Sequence, residues 1–191
     1  RFGVQVVVEN RGGGNTIIGT ELVAKAPPDG TTLLFGNPAL SANPALNDKL
    51  PYDTLRDFAP VALVAASFNV LVVHPSLPVK SVKELAAYAK ANPAKLNYAS
   101  TGNASLAHLA GELFALSIGA KLTHVPYKGV GAALTDLLSG QVQMSFLSGG
   151  SVYGQVRSQK LRALAIASTQ RAKIAPDLPT MAEAGVPNYA V

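Results

Sequence analysis

Short runs of β-branched and aliphatic residues alternate along this chain with segments of helical period, and Pro, Gly or Asn stands at most of the joints. The runs Val4–Val8, Thr31–Phe35, Phe58–Ala65, Asn69–Val73, Leu96–Ala99, Leu122–Val125, Val142–Phe146 and Leu161–Ala167 read as strands. Between them, a helix is expected from a cap at Asn15 or Thr16 to Ala26, and a second from Ser81 to Ala91. Others are expected over Ala107–Ile118, Gly131–Ser139 and Ser151–Ser158. Ser81 and Glu84, three apart, form a capping box, as do Thr180 and Glu183. Pro44 and Pro51 limit helix length between residues 39 and 58. A β-α-β-α order implies an α/β fold with mainly parallel sheets and helices on their faces. In such sheets ligands sit beyond the carboxyl ends of strands. Four strand-end loops are therefore the candidate positions: Gly36–Pro38, Ser100–Ser105, Pro126–Gly129 and Leu147–Gly150.

Composition narrows the function. The 191 residues are 48% hydrophobic and 14% charged, a globular balance with length enough for a real core. The net charge of +5 is scattered, with Lys80, Lys83, Lys90 and Lys95 nearest to a cluster. Aromatic residues do not interleave with these lysines, so they read as a solvated helix face rather than a nucleic-acid patch. The absence of cysteine removes disulfides and thiol chemistry. No apolar run reaches membrane-spanning length, so no direct membrane insertion is expected. No signal peptide is visible, and a leader would lie upstream of Arg1.

The catalytic motifs fail on inspection. Gly12-Gly13-Gly14 with Gly19 misses the dinucleotide spacing because Ile17 stands at the third glycine position, and it lacks the Gly-Lys-Ser/Thr of a P-loop. Ser105, His108 and Glu112 are stacked along one helix, which does not give the convergent geometry of a triad. No Gly-x-Ser-x-Gly elbow is present. His74, His108 and His124 each lack a partner at metal-ligand spacing. No catalytic residue, metal or cofactor is expected. Lys128 reads equally as an anion clamp or a surface lysine, and Tyr127 as packing with its hydroxyl at an edge.

The loop between Tyr98 and His108 is the most informative stretch. Ser100, Thr101, Gly102, Asn103, Ala104 and Ser105 offer amides and hydroxyls and no charged side chain. Unpaired N–H groups at a helix start attract an anion, because the helix dipole and the amides point the same way. Small polar residues are equally ordinary between strand and helix. Read alone, the loop admits both interpretations.

The order and spacing of several motifs resemble the Bug family, the solute-binding proteins of tripartite tricarboxylate transporters. The resemblance is carried by Val6-Val7-Val8-Glu9-Asn10-Arg11, Pro28-Asp29-Gly30-Thr31-Thr32-Leu33-Leu34 and Tyr98-Ala99-Ser100-Thr101-Gly102-Asn103. It continues in His108-Leu109-Ala110-Gly111-Glu112-Leu113, Val125-Pro126-Tyr127-Lys128-Gly129 and Pro179-Thr180-Met181-Ala182-Glu183-Ala184-Gly185.

The resemblance implies a two-lobe α/β fold of the type II periplasmic binding protein kind. Residues 1–68 and 170–191 would belong to lobe one and residues 69–169 to lobe two. It implies a periplasmic, non-enzymatic receptor for a small organic carboxylate: a dicarboxylate, an acidic amino acid or an aromatic acid. Its partners would be the membrane subunits of the transporter. Ser100 to Ser105 would grip the carboxylate, with Asn37 and Ser148 facing it from neighbouring loops. The family pattern also has a strand and a Pro-Gly-Gly loop before the position of Arg1 and further elements after Val191, so lobe one is expected to be incomplete here. Gly12 replaces the proline usual after Arg11, and Leu147-Ser148-Gly149-Gly150 replaces a more polar family segment, which implies a less polar far end of the site. The alternative is the effector-sensing domain of a transcription regulator, which shares the two-lobe fold and would carry a helix-turn-helix upstream.

Overall fold

The computed structural model describes residues 3–189 and 191. The chain divides into two compact units, Arg1–Ala62 and Leu63–Val191.

The first unit carries a 3-10 turn at Gly14–Thr16, helix α1 (Ile17–Ala24) and helix α2 (Ala39–Leu46). Pro44 lies inside α2 and supplies no N–H to the carbonyl of Leu40 four residues back. The Thr54 hydroxyl donates to that carbonyl instead, at 3.1 Å. Thr20, Asn43 and Tyr52 are its buried residues among those described. Asn43 sits at the centre of a polar knot. Its Oδ1 accepts from the Asn15 amide at 3.0 Å, and its Nδ2 donates to the Asn15 carbonyl at 3.1 Å and to the Tyr52 hydroxyl at 3.3 Å.

Three strand expectations fail in this region. Val4–Val8, Thr31–Phe35 and Phe58–Ala65 form no ladder among the described residues. Val8, Phe35 and Val61 are 79–83% exposed. A β-branched composition favours a strand only where a neighbouring strand takes the N–H and C=O groups and a second layer takes the side chains. Neither is supplied here.

The second unit is a five-stranded sheet with helices on both faces. Its elements are β1 (Asn69–Val73), α3 (Val82–Ala91), β2 (Asn97–Ser100), α4 (Leu106–Ile118), β3 (Thr123–Pro126), α5 (Val130–Leu138), β4 (Met144–Ser148), α6 (Gly149–Arg157) and β5 (Arg162–Ile166). The strand order is β3-β2-β4-β1-β5. Strands β2, β3, β4 and β5 run one way and β1 runs against them, so β1 pairs antiparallel with both β4 and β5. The expectation of mainly parallel pairing thus holds for strand direction but not for the two pairings of β1. The composition of a buried strand is the same in either direction, so the reversal of β1 leaves no trace in its residues.

Alternation along the strands separates the two cores. Leu71, Val73, Tyr98, Met144 and Phe146 pack with Leu85, Ala110 and Phe114 of α3 and α4 on one face. Val70, Val72, Ala99 and Leu147 pack with Ala133, Leu137 and Val152 of α5 and α6 on the other. Each large side chain so buried is worth about 1.5–3 kcal/mol against exposure. The Ser81 cap of α3 forms as expected, its Oγ accepting from Glu84 N–H at 3.2 Å, while Glu84 reaches past it to the N–H of Lys80. Thr180 and Glu183 also bond reciprocally, but Gly185 and Pro187 follow and the box closes a turn rather than a helix.

Residues 170–191 were expected with lobe one; those described pack on the second unit. Ile166 bridges Thr180, the Val191 N–H donates to Ala167 O, and Met181, Val186 and Tyr189 join the α3–α4 core.

Candidate functional site

Strands β2, β3 and β4 are adjacent and parallel; β2 and β3 lead through short loops into α4 and α5, and β4 runs directly into α6. The N-termini of α4, α5 and α6 are therefore delivered to one end of the sheet. The first two loops touch: Tyr127 N–H donates to Ser100 O at 3.0 Å, and a Cβ on Gly102 would lie 3.6 Å from Tyr127 O. Gly102 has a φ of +136°, a conformation that side chains resist. Helices α5 and α6 start at Gly129 and Ser148 without a side-chain cap. Helix starts of this kind concentrate partial positive charge without a charged side chain.

The loop residues divide into framework and surface. Ser100 is fully buried and committed inward. Its hydroxyl donates to Gly102 O at 2.9 Å and accepts from Gly102 N–H at 3.1 Å. Its remaining lone pair meets His124 Nε2 at 2.7 Å, which assigns the proton to that nitrogen. Ser105 is the N-cap of α4, accepting from His108 N–H at 3.3 Å. The expectation that the Ser100 and Ser105 hydroxyls grip a ligand is therefore revised, since both already serve the loop's own backbone. Thr101 and Gly102 are half-buried and Asn103 is exposed. Ala104 holds a φ of +60°. The N–H groups of Thr101, Asn103, Leu106 and Ala107 have no hydrogen-bond partner among the described residues. These amides are what the loop can present to an anion.

Ser148 is half-buried at the start of α6, its hydroxyl 3.4 Å from that of Ser67. Gly149 N–H is taken by Phe68 O. Asn37 is exposed in the first unit, where its Oδ1 accepts from Ala39 N–H. Lys128 is exposed. The Tyr127 hydroxyl donates to Asp136 at 2.8 Å, and burial, with the nearby carboxylate second, pushes its pKa up to about 12.

Behind the loop lies a group that sequence spacing missed. Tyr98, His124 and His108 stack face to face, with His108 and His124 ring centroids 4.0 Å apart and Tyr98 and His124 4.9 Å apart. Tyr98 donates to Glu112 at 2.6 Å, and His108 Nε2 lies 3.9 Å from the same carboxylate oxygen. His108 Nδ1 accepts the N–H of Ala104 at 3.0 Å. Burial first, and Glu112 second, raise the Tyr98 pKa far above the ordinary phenol value. Burial, followed by the charge of His108, lowers that of His124. The register that pairs Tyr98 with His124 is the one signal that could have united these residues. Ser105 meets the backbone of His108 and not its imidazole, so no Ser-His nucleophile is assembled there.

The model of the tripartite tricarboxylate transporter family receptor matches residues 1–191. The chain belongs to that family. It is 41% identical over 190 residues to Protein BugT of Bordetella pertussis, covering 98% of this chain and 58% of that protein. It is 40% identical over 191 residues to a protein of the tcbD-tcbE intergenic region of Pseudomonas sp. strain P51, covering 100% of this chain and 57% of that protein. Among solved structures, Rpa4515 of R. palustris with adipate superposes with a TM-score of 0.93 at 37% identity, over 100% of this chain and 64% of that one. The periplasmic binding protein BugD gives 0.84 at 34% identity, over 97% and 62%. MatC of Rhodopseudomonas palustris with bound malate gives 0.80 at 32%, over 94% and 61%. The chain thus spans about three-fifths of the length of these receptors. Its mixed α/β sheet is the fold of these periplasmic neighbours.

Proposed function

We propose that this receptor-family chain captures a small organic carboxylate in the periplasm and hands it, chemically unchanged, to the membrane subunits of a tripartite tricarboxylate transporter. The observation that carries this reading is the set of unpartnered N–H groups at Thr101, Asn103, Leu106 and Ala107, at the carboxyl end of β2, beside two further uncapped helix starts. Amides bind a carboxylate through charge-assisted hydrogen bonds without the deep electrostatic trap that an arginine would set. Such a grip suits a ligand that must be released. Gly102 lets the backbone come close, and Ser148 stands at the mouth of α6. Asn37 belongs to the first unit and is no part of the geometry behind this reading.

The ligand class follows from two supports. The loop has no cation to neutralise a phosphate dianion, and the relatives Rpa4515 and MatC are described with adipate and malate. A dicarboxylate, an acidic amino acid or an aromatic acid meets the same requirement of one carboxylate at the amides. Residues 1–68 are read as lobe one and 69–169 as lobe two, while the described residues of 170–191, read with lobe one in the sequence, pack on the second unit.

Isothermal titration calorimetry of the full chain with adipate, malate, glutamate and benzoate tests the reading, with an uncharged diol as control. Binding of at least one acid, none of the diol, and recovery of the acid unaltered is the expected result. A folded sample that binds none of the acids overturns it.

A further inference from the structure

We propose that His108 is a positioning residue for the carboxylate loop: its neutral imidazole pins Ala104 through Nδ1, and protonation withdraws the pin. The proposal rests on the carboxylate reading of the loop given above. Ala104 stands at a φ of +60°, which an alanine adopts only under constraint. Its N–H points to His108 Nδ1 at 3.0 Å, an acceptor only while that nitrogen carries no proton. The unpartnered amide of Asn103 immediately precedes Ala104, and that of Leu106 follows two residues on, after Ser105, whose N–H bonds Gly102 O. The imidazole therefore fixes the backbone whose direction decides where those amides aim.

The imidazole is itself held from three elements. From β3, His124 stacks on it at 4.0 Å. From β2, Tyr98 lies parallel beyond, at 6.5 Å. From α4 itself, Glu112 stands 3.9 Å from its Nε2. Tyr98 donates its hydroxyl proton to Glu112, and His124 directs Nε2 at Ser100. Glu112 is the one carboxylate in the group, and it favours the first ring proton on the Nε2 side, leaving Nδ1 for a second. That second proton must go to Nδ1, where it meets the Ala104 N–H donor to donor. That hydrogen bond is lost, and Ala104 is no longer fixed from His108, while the Ser100 and Ser105 bonds keep the rest of the loop in place.

Free histidine changes charge between about pH 5 and pH 8, and a test of the pin spans that range. Two opposing effects separate cleanly. A through-space effect of the imidazolium would strengthen the hold on an anion in acid. The pin predicts the reverse.

The test combines calorimetry with adipate and malate at about pH 8 and about pH 6, where histidine titrates and the acids stay largely ionised, with NMR of the ligand-free full chain. Wild type should lose about fivefold in affinity on acidification, the size of one ordinary hydrogen bond. The Ala104 amide resonance should titrate with the His108 ring, at one midpoint. His108→Asn places an oxygen acceptor near the Nδ1 position and does not titrate, so it should bind at pH 6 as at pH 8. His108→Phe keeps the stack without the acceptor, and should bind weakly at both. Affinity that is flat or rises in acid in wild type, or an Ala104 amide indifferent to the His108 titration, overturns the proposal. If Ala104 and His108 titrate together while neither acid binds at either pH, the pin stands and the carboxylate reading falls.

Discussion

Gly111 presses on the ring of Tyr98 so closely that a Cβ there would lie 2.6 Å from Tyr98 Cζ. Tyr98 is fully buried in β2, and its hydroxyl is fixed by Glu112 one residue along α4 from the glycine. The glycine is thus what allows α4 to lie flat on the strand that feeds the candidate loop. In the same stroke it sets the height of the Tyr98–His124–His108 stack.

Gly111→Ala should therefore destabilise the chain by about 1–3 kcal/mol, the range for overpacking, although alanine is the better helix former by about 1 kcal/mol. Urea denaturation measures the loss. The pair Gly111→Ala with Tyr98→Leu should lose less than the sum of the two single changes, because the smaller side chain removes the clash. Strict additivity would mean that the contact carries no energy.

The sequence was legible where burial on both faces left its mark. Asn69–Val73 and the strands near Leu96, Leu122, Val142 and Leu161 lie within two residues of their expected bounds, because each is an apolar run between turn signals. Val4–Val8 has the same composition and forms no ladder, since a run does not specify its partner. The candidate loop was legible as a position, through its lack of charge and its place between strand and helix. What its hydroxyls do was not. Ser100 meets His124 across 24 positions, and only the parallel register of β2 on β3 brings them together. His108 reads as a helix residue in the sequence. Its acceptor role depends on the backward turn at Ala104, a conformation that alanine does not advertise.

Tyr189 anchors the C-terminal segment to α4. Its hydroxyl donates to Ala110 O at 2.6 Å, its ring stacks on Phe146 at 5.8 Å, and burial raises its pKa well above the ordinary value. Tyr189→Phe keeps the ring and deletes the donor. The Ala110 carbonyl retains its helical partner, so the cost should be that of one ordinary hydrogen bond, about 1 kcal/mol. Tyr189→Ala removes the ring as well, and should cost about 3–5 kcal/mol. Thermal and urea unfolding distinguish the two. Equal losses in both variants would show that the hydroxyl, not the ring, carries the anchor.

His124 gives the stability of the chain a slope with pH. Burial, followed by the charge of His108, holds its pKa below the ordinary imidazole value of 6.5, with Glu112 acting weakly the other way. The folded state consequently binds fewer protons than the unfolded state across the interval between the two values. Stability from this group is fully present above the ordinary value and is lost as pH falls through the lowered one. The unfolding free energy should be smaller at about pH 5 than at about pH 8. His124→Gln retains an N–H for Ser100 and cannot titrate in this range, so the variant should show a shallower slope than wild type between those limits. Carboxylates remote from position 124 contribute equally to both proteins, and the difference in slope reports His124 together with its coupling to His108 and Glu112. Urea midpoints across this interval supply the measurement. A slope unchanged by the substitution would assign the pH dependence to other groups.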